Sequence, residues 1–376
     1  MTKTTRNTAA AAEESFHKHY SAIWGAERWR DALYPALAGP TRHAALVNRY
    51  ASIADFWEAI SEANIDREEL EQLQFPNSTS TGARDGTHIL CFARVPSSSS
   101  ESTAFPPPKP AAFSRLLTHW NLDAASALVA SLLDARPGES VLDLCAAPGG
   151  KSIALAQSMF TADATGDQNG RPAGVLRSNE MEPRRHKRLS ENLQAYLPAQ
   201  LIKDSSVQCL RVDGTSNATN ALLASGGYDK ILVDAPCSSE RHIIHAHLKA
   251  SASGNTAPEM ASWRPGSSKR LAQTQLSLLM TALKAVKVGG SIMYATCSIE
   301  VAENDGVIGK MVAQVEKERK KGARWSVKLG LGEAMDEHLE RWAEKTKYGW
   351  MVLPDHPGNG RWGPLFSAMV TKTDGV

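Results

Sequence analysis

Between Ser140 and Ser298 short apolar runs of β type alternate with helical segments, and this alternation constrains the fold more than any other feature of the chain. SVLDLC precedes GKSIALAQSMF, GVLRSNE precedes PRRHKRLSENLQAYL, and VQCLRV precedes ATNALLA. KILVDA precedes the long helical stretch SSKRLAQTQLSLLMTALKAV, which leads into SIMYATCS. Strands separated by helices cannot pair through tight hairpins, so the pattern predicts an α/β fold with a mostly parallel sheet covered on both faces. WMVLP and GPLFSAMVTK, joined by the turn-rich DHPGNGRW, predict a terminal antiparallel hairpin on that sheet.

Upstream of the alternation, Phe16 to about Leu73 reads as helices, including HAALVNRYASIADFWEAI and an acidic, solvent-facing IDREELEQL. Trp24, Trp29, Tyr34, Tyr50 and Trp57 in this stretch read as core rather than as a base-stacking surface. HILCFARV alternates like a strand, and PSSSSESTAFPPPKP has the composition of a linker. The expected organisation is a flexible tail over 1–15, a smaller, mainly helical region with its linker over 16–110, and an α/β domain over 111–376. TADATGDQNGRPA at 161–173 and KASASGNTAPEMAS at 249–262 are expected to be exposed loops.

Charge and cysteine content narrow the function classes. Lys and Arg number 42 against 40 Asp and Glu, a formal charge of +2, so any nucleic-acid site must be a local patch. Five cysteines with no C-x-x-C pair argue against a disulfide framework or a zinc knuckle, and no metal site is expected. No apolar run reaches the roughly 18 residues of a membrane span, and MTKTTRNTAAAAEESF lacks the apolar core of a secretory signal. Lys3 and Arg6 suit a mitochondrial presequence, while Glu13 and Glu14 count against one.

VLDLCAAPGGKS is a strand ending in a small-residue turn that opens a helix, where backbone N–H groups face a ligand. The absence of G-x-G-x-x-G lowers a dinucleotide reading. The next strand ends at Glu180, whose carboxylate can accept both ribose hydroxyls or be a solvated loop group. Asp213-Gly214 ends the third strand at the same carboxyl edge, and together these ends favour an adenosine-containing ligand. The fourth and fifth strands end in DAPCSS and YATCS. Cys237 and Cys297 could be structural, but polar flanks at a strand end suit reactive thiols, and hence nucleophilic catalysis.

VLDLCAAPGGKS, DAPCSS and YATCS in this order resemble the NSUN (Sun/Fmu-type) RNA cytosine-5 methyltransferases. FHKHYSAIWGAERWRDALYPAL, FPPPKPAAFSRLLTHWNLDAAS, CSSERHIIH and GRWGPLF resemble the branch of the mitochondrial ribosomal-RNA enzyme and its mitochondrial tRNA relative, over roughly residues 16 to 372. Glu180 stands where that family often has Asp, and the 161–173 insertion is unusual. The resemblance implies a Rossmann-like, seven-stranded S-adenosylmethionine-dependent methyltransferase fold, with RNA as partner, no DNA or membrane, a possible protein partner supplying specificity, and a mitochondrial location. It implies Cys297 as nucleophile and Cys237 as the release group, with Asp234 beside the target base. Gly149, Gly150 and Lys151 would line the methionine end of the cofactor, Glu180 and Arg185 the ribose, and Asp213 and Gly214 the adenine, with Asp234 bordering the cofactor as well. The substrate it implies is small-subunit rRNA, with tRNA methylation or a non-catalytic assembly role as alternatives. Arg241, His242, Arg361 and Trp362 are the expected RNA contacts, while Lys317 to Arg324 reads as a solvated helix face.

Overall fold

Val141 and Leu142 are adjacent, fully buried, and belong to two different cores. Successive side chains of a strand point to opposite faces, so this strand must lie inside a sheet covered on both sides. The computed structural model, which describes residues 3–76, 89–95, 104–160, 174–216, 222–223, 226–358 and 360–374, contains that sheet. The insertion at 161–173, most of ATNALLA and part of the serine-rich linker lie outside the described residues.

A four-stranded antiparallel sheet near the N-terminus contains β1 (Ala44–Val47), β2 (Leu70–Gln72), β3 (Cys91–Arg94) and β4 (His119–Leu122) in the order β2-β3-β1-β4. The main sheet contains β5 (Ser140–Asp143), β6 (Val175–Asn179), β7 (Val207–Leu210), β8 (Tyr228–Asp234) and β9 (Val286–Thr296). It continues with β10 (Trp325–Leu329), β11 (Glu344–Lys345), β12 (Trp350–Val352) and β13 (Leu365–Asp374). The order is β11-β12-β13-β9-β8-β5-β6-β7, with β10 also paired to β13. β7, β6, β5, β8 and β9 are mutually parallel, and β13 returns antiparallel to β9 as the inner strand of the expected hairpin, with β12 outside it. Among the described residues the sheet has nine strands rather than seven, because β10 and the two-residue β11 extend its antiparallel end.

Helices cover the two faces. Ala124–Leu133, Gly150–Met159 and Pro183–Tyr196 pack with Val141, Leu176 and Leu232, while Ser268–Ala285 and Asp305–Lys320 pack with Leu142, Ile231 and Val233. The second core also receives the N-terminal helix Lys3–Trp24, which runs through the residues expected to be a tail. Its Phe16 and Tyr20 are fully buried, the Phe16 ring lying 5.1 Å from that of Trp263 and the Tyr20 ring stacking on Trp29 at 5.4 Å. Trp29 is buried and Trp24, Tyr34, Tyr50 and Trp57 pack against the cores, as their helical spacing suggests.

Several local expectations are corrected. AALV within the supposedly helical HAALVNRY is β1, all four residues buried between β3 and β4, because tertiary pairing overrides the helical preference of Ala and Leu. IDREELEQL is a 3-10 turn followed by the edge strand β2, whose charged residues suit an unpaired edge. The N-terminal region therefore adds a small sheet to its helices, and β4, beyond residue 110, pairs with β1. The segment 249–262 is part helix, ending Glu240–Ser251 and forming Pro258–Ser262, because Ala257, Met260 and Trp263 are buried.

Phe16→Ala is expected to lower the unfolding free energy by about 3–5 kcal/mol, the usual cost of emptying a buried phenylalanine site. Denaturant titration checks this, and a loss below about 1 kcal/mol would show that the helix lies outside the core.

Candidate active site

β5 has β6 on one side and β8 on the other, so the chain leaves it in two directions and a crevice opens beyond the carboxyl ends of the strands. A cleft of about 450 Å³ occupies this place. Its walls come from each strand end in turn: Leu144, Cys145 and Ala147 after β5, Glu180 and Met181 after β6, Gly214 after β7, Asp234 and Cys237 at β8, and Cys297 after β9.

The turn after β5 needs its glycines. Gly149 has φ +120° and precedes the helix Gly150–Met159, and a Cβ on Gly150 would fall 2.6 Å from the Trp120 Nε1 of β4. The Glu180 carboxylate is buried, accepts from the Glu182 N–H at 2.9 Å and lies 3.3 Å from Arg185 Nε. Arg185 also donates to the Ala147 carbonyl at 3.0 Å, tying the end of β6 to the loop after β5. Gly214 lines the cleft, but Asp213 turns its carboxylate to Thr215 N and Oγ1 at 2.8 and 2.7 Å, holding the local turn instead. Gly149 and Gly150 shape the floor without lining the cleft.

Lys151 faces the other way. A second cavity of about 420 Å³ is lined by Ser126, Lys151, Asp123, His242 and His245, and it shares Asp234, Ser239 and Cys297 with the first. Lys151 Nζ donates to Asp234 Oδ2 at 2.8 Å and to Ser126 Oγ at 3.0 Å. Burial pulls the lysine pKa down, but the Asp234 carboxylate more than offsets this and the ammonium is held above its ordinary value.

Between the two cavities the cysteines meet. β8 and β9 run parallel with Asp234 opposite Ala295, which brings the loops after them together. Cys237 Sγ and Cys297 Sγ are 3.1 Å apart, and Ser239 Oγ lies 3.0 Å from Cys297 Sγ and 3.4 Å from Cys237 Sγ. The Cys297 pKa is lowered, first because the Cys237 thiol donates to it, with Ser239 helping against burial. Cys237 is pushed well above its ordinary value by the same hydrogen bond and by burial. Of the two, Cys297 is therefore the thiol that ionises more readily, with Cys237 as its proton-bearing neighbour.

One expected RNA contact is corrected, and another has internal partners as well. Arg241 lines the second cavity, and it is buried and donates to the carbonyls of Gly363, Gly39 and Pro40, pinning the N-terminal segment to the loop before β13. Trp362 is buried, with the Arg42 guanidinium 4.6 Å from its ring centroid, so it offers no open stacking face. His242 remains exposed at the rim of the second cavity. Lys317, Arg319 and Lys320 are solvent-facing, as expected, with Arg319 paired to Glu316. Sequence reasoning missed Ser126 and Ser239. Nothing in a lone serine signals a role, and Ser239 reaches both thiols because it sits at φ 53°.

The family model described as 16S rRNA methyltransferase RsmB/F matches residues 130–348. This chain belongs to that family. As an RsmB/F-family member it is an RNA methyltransferase, in agreement with the NSUN-type resemblance of its motifs. It is 29% identical to the "tRNA (cytosine(34)-C(5))-methyltransferase, mitochondrial" of Danio rerio, over 95% of this chain and 86% of that protein. It is 28% identical to the "5-cytosine rRNA methyltransferase NSUN4" of Bos taurus, over 79% of this chain and 72% of that protein. The fold matches that of "NSun6 from Pyrococcus horikoshii with SFG" with a TM-score of 0.59 at 16% identity, covering 95% and 97% of the two chains.

One buried acid of this RsmB/F-family chain carries a pH dependence. Asp143, fully buried at the end of β5, accepts from Ser152 Oγ at 2.7 Å, while its Oδ1 has no hydrogen-bond partner among the described residues. Burial, opposed by the Ser152 hydroxyl and reinforced by Asp234, pushes its pKa up to about 7. The folded chain then keeps a proton that the unfolded chain releases near 4, so stability falls as pH rises from about 4 to about 7 and levels off above. Between pH 5 and 8 wild type should lose about 2–3 kcal/mol relative to Asp143→Asn, at 1.36 kcal/mol per pH unit. Urea titrations of both proteins at the two pH values test this, and parallel behaviour would refute it.

Proposed function

We propose that the chain is an RNA cytosine-5 methyltransferase that uses S-adenosylmethionine and attacks its target through Cys297. The observation that carries this reading is the meeting of two cavities at Asp234, Ser239 and Cys297, one suited to a cofactor and one to a target base. The first cavity fits an adenosine-type cofactor. Glu180 presents a buried carboxylate there, and a Cβ at Gly214 would come within 2.8 Å of Leu278 Cδ2, so that wall stays bare backbone. Glu180 and Arg185 would hold the ribose, Gly214 the adenine, and Asp234 would border the reactive end. The cofactor, when bound, supplies an electrophilic methyl group on a sulfonium.

The chain's own groups do the rest. C5 of cytosine is a weak nucleophile, and addition of the Cys297 thiolate to C6 makes it electron-rich. Cys237, as hydrogen-bond donor, keeps Cys297 ionised at rest. Asp234, fixed by Lys151, which also donates to Ser126, faces the second cavity and would stabilise the charge developing on the ring through N3. The ring must be approached from its face, which requires an unpaired or flipped nucleotide, and His242 at the rim would touch the RNA. After transfer the C5 proton leaves and the C6–S bond breaks, and Cys237, in contact with the leaving sulfur, assists that step.

Small-subunit rRNA is the substrate proposed, in line with the family's description, and a mitochondrial site of action follows from the relatives' names. The tRNA reading is favoured by one observation, the 95% of this chain matched by the Danio rerio tRNA enzyme.

Cys297→Ala should give neither product nor adduct with RNA and labelled cofactor, while Cys237→Ala should accumulate a covalent RNA–protein species seen on a denaturing gel. Adduct formation by the Cys297→Ala protein would reverse the two roles. A folded, cofactor-binding wild type that transfers no label to rRNA or tRNA would favour a non-catalytic assembly factor.

A further inference from the structure

Behind the thiol pair lie two fully buried carboxylates that the methyl-transfer chemistry does not use, Glu240 and Glu303. Glu240 follows Cys237 by three residues, yet it serves the other cysteine loop. Its Oε2 accepts from the Ile299 N–H at 2.9 Å and its Oε1 from Ser298 Oγ at 3.3 Å, the two residues directly after Cys297. Glu303 follows Cys297 by six residues and does the reverse. Its Oε2 accepts from the Ser238 N–H at 3.1 Å, directly after Cys237, and from Gln275 Nε2 at 2.7 Å, which also donates to the Pro236 carbonyl at 2.9 Å. Ser238 and Ser298 close the arrangement with Oγ atoms 2.9 Å apart, and Ser238 also donates to Glu240. Tyr20 of the N-terminal helix donates to Glu240 Oε1 at 2.9 Å.

We propose that Glu240 and Glu303 form a reciprocal clasp, each carboxylate gripping the loop that carries the other cysteine, and that this clasp, braced by Tyr20, holds the two thiols in contact. Both glutamates are positioning residues for Cys297, so the proposal rests on Cys297 being the nucleophile. The physical need is plain. The two cysteines sit on separate strands of the sheet, and the pairing of β8 with β9 ends at Asp234 and Ala295, before either cysteine is reached. Beyond that point only side chains can fix the spacing on which the ionisation of Cys297 depends. Each carboxylate can take several donors at once, and removing it leaves buried N–H and hydroxyl groups without an acceptor. Two acids this close in the interior resist double ionisation, and burial together with Glu240 pushes Glu303 up to about 7. The other titratable groups around the thiols include Asp234 and, through it, Lys151, with Asp123, Arg241, His242 and His245 lining the cavity that Cys297 borders and Tyr294 close to Cys237.

The test is the pH profile of Cys297 alkylation by iodoacetamide in the full-length protein, followed by mass spectrometry of the Cys297 peptide. Wild type should show a midpoint below the roughly 8.5 of a free thiol. Glu240→Gln keeps an acceptor oxygen and the side-chain length but loses the charge that raises Cys297, and should leave the midpoint at or below that of wild type. Glu240→Ala, equally uncharged but without the acceptor, should lie about one pH unit above Glu240→Gln and be alkylated about tenfold more slowly at pH 7. In methyl transfer, Glu240→Ala should lower kcat and leave KM for the methyl donor within about twofold. If the alanine protein fails to fold, Tyr20→Phe replaces it, and its midpoint should move upward by a smaller amount. A folded Glu240→Ala protein whose midpoint equals that of Glu240→Gln, or a Tyr20→Phe protein with an unmoved midpoint, overturns the clasp. Alkylation needs neither RNA nor methyl donor, so the two readings fail separately. A wild type with a depressed Cys297 midpoint that methylates no cytosine sinks the enzymatic reading while the clasp still stands or falls on the variants.

Discussion

Everything at this site depends on the parallel pairing of β8 with β9 in one register, Asp234 opposite Ala295. A parallel pair delivers both strands to the same edge of the sheet, so the loops that follow begin side by side. A shift by one residue would exchange Leu232 and Val233 between the two cores and move Asp234 away from Lys151. With the register held, Cys237 and Cys297 reach thiol contact and the two cavities share a wall.

The N-terminal segment is built into this arrangement. Phe16 and Tyr20 fill the same core as Ile231 and Val233, Tyr20 touches the carboxylate behind the cysteines, and Trp120 of β4 closes over the glycine turn after β5. Arg241 adds a third tie through the carbonyls of Gly39, Pro40 and Gly363. Changes in the first 120 residues therefore reach the site through packing and hydrogen bonds rather than through substrate contact alone.

The alternation of strands and helices made the α/β sheet legible, and strand-end positions made Glu180, Asp234, Cys237 and Cys297 legible as neighbours. Legibility failed where a local pattern serves two structures. AALV reads as helix by composition and is a central strand because β3 and β4 flank it. Trp362 reads as an RNA contact because it lies near a motif in sequence, yet it is buried with its ring covered by Arg42. Lys151 sits in the glycine-turn motif but turns to Asp234, away from the cofactor cleft, because a buried ammonium must find a carboxylate.

By itself the sequence determined the order of elements and the chemistry of their ends, since periodicity and turn residues act locally. Tertiary structure alone decided which thiol is ionised, which carboxylates grip which loop, and which cations face a ligand. Those outcomes hang on sub-ångström spacing and burial between residues up to some two hundred positions apart, such as Tyr20 and Glu240, and no local pattern encodes such distances.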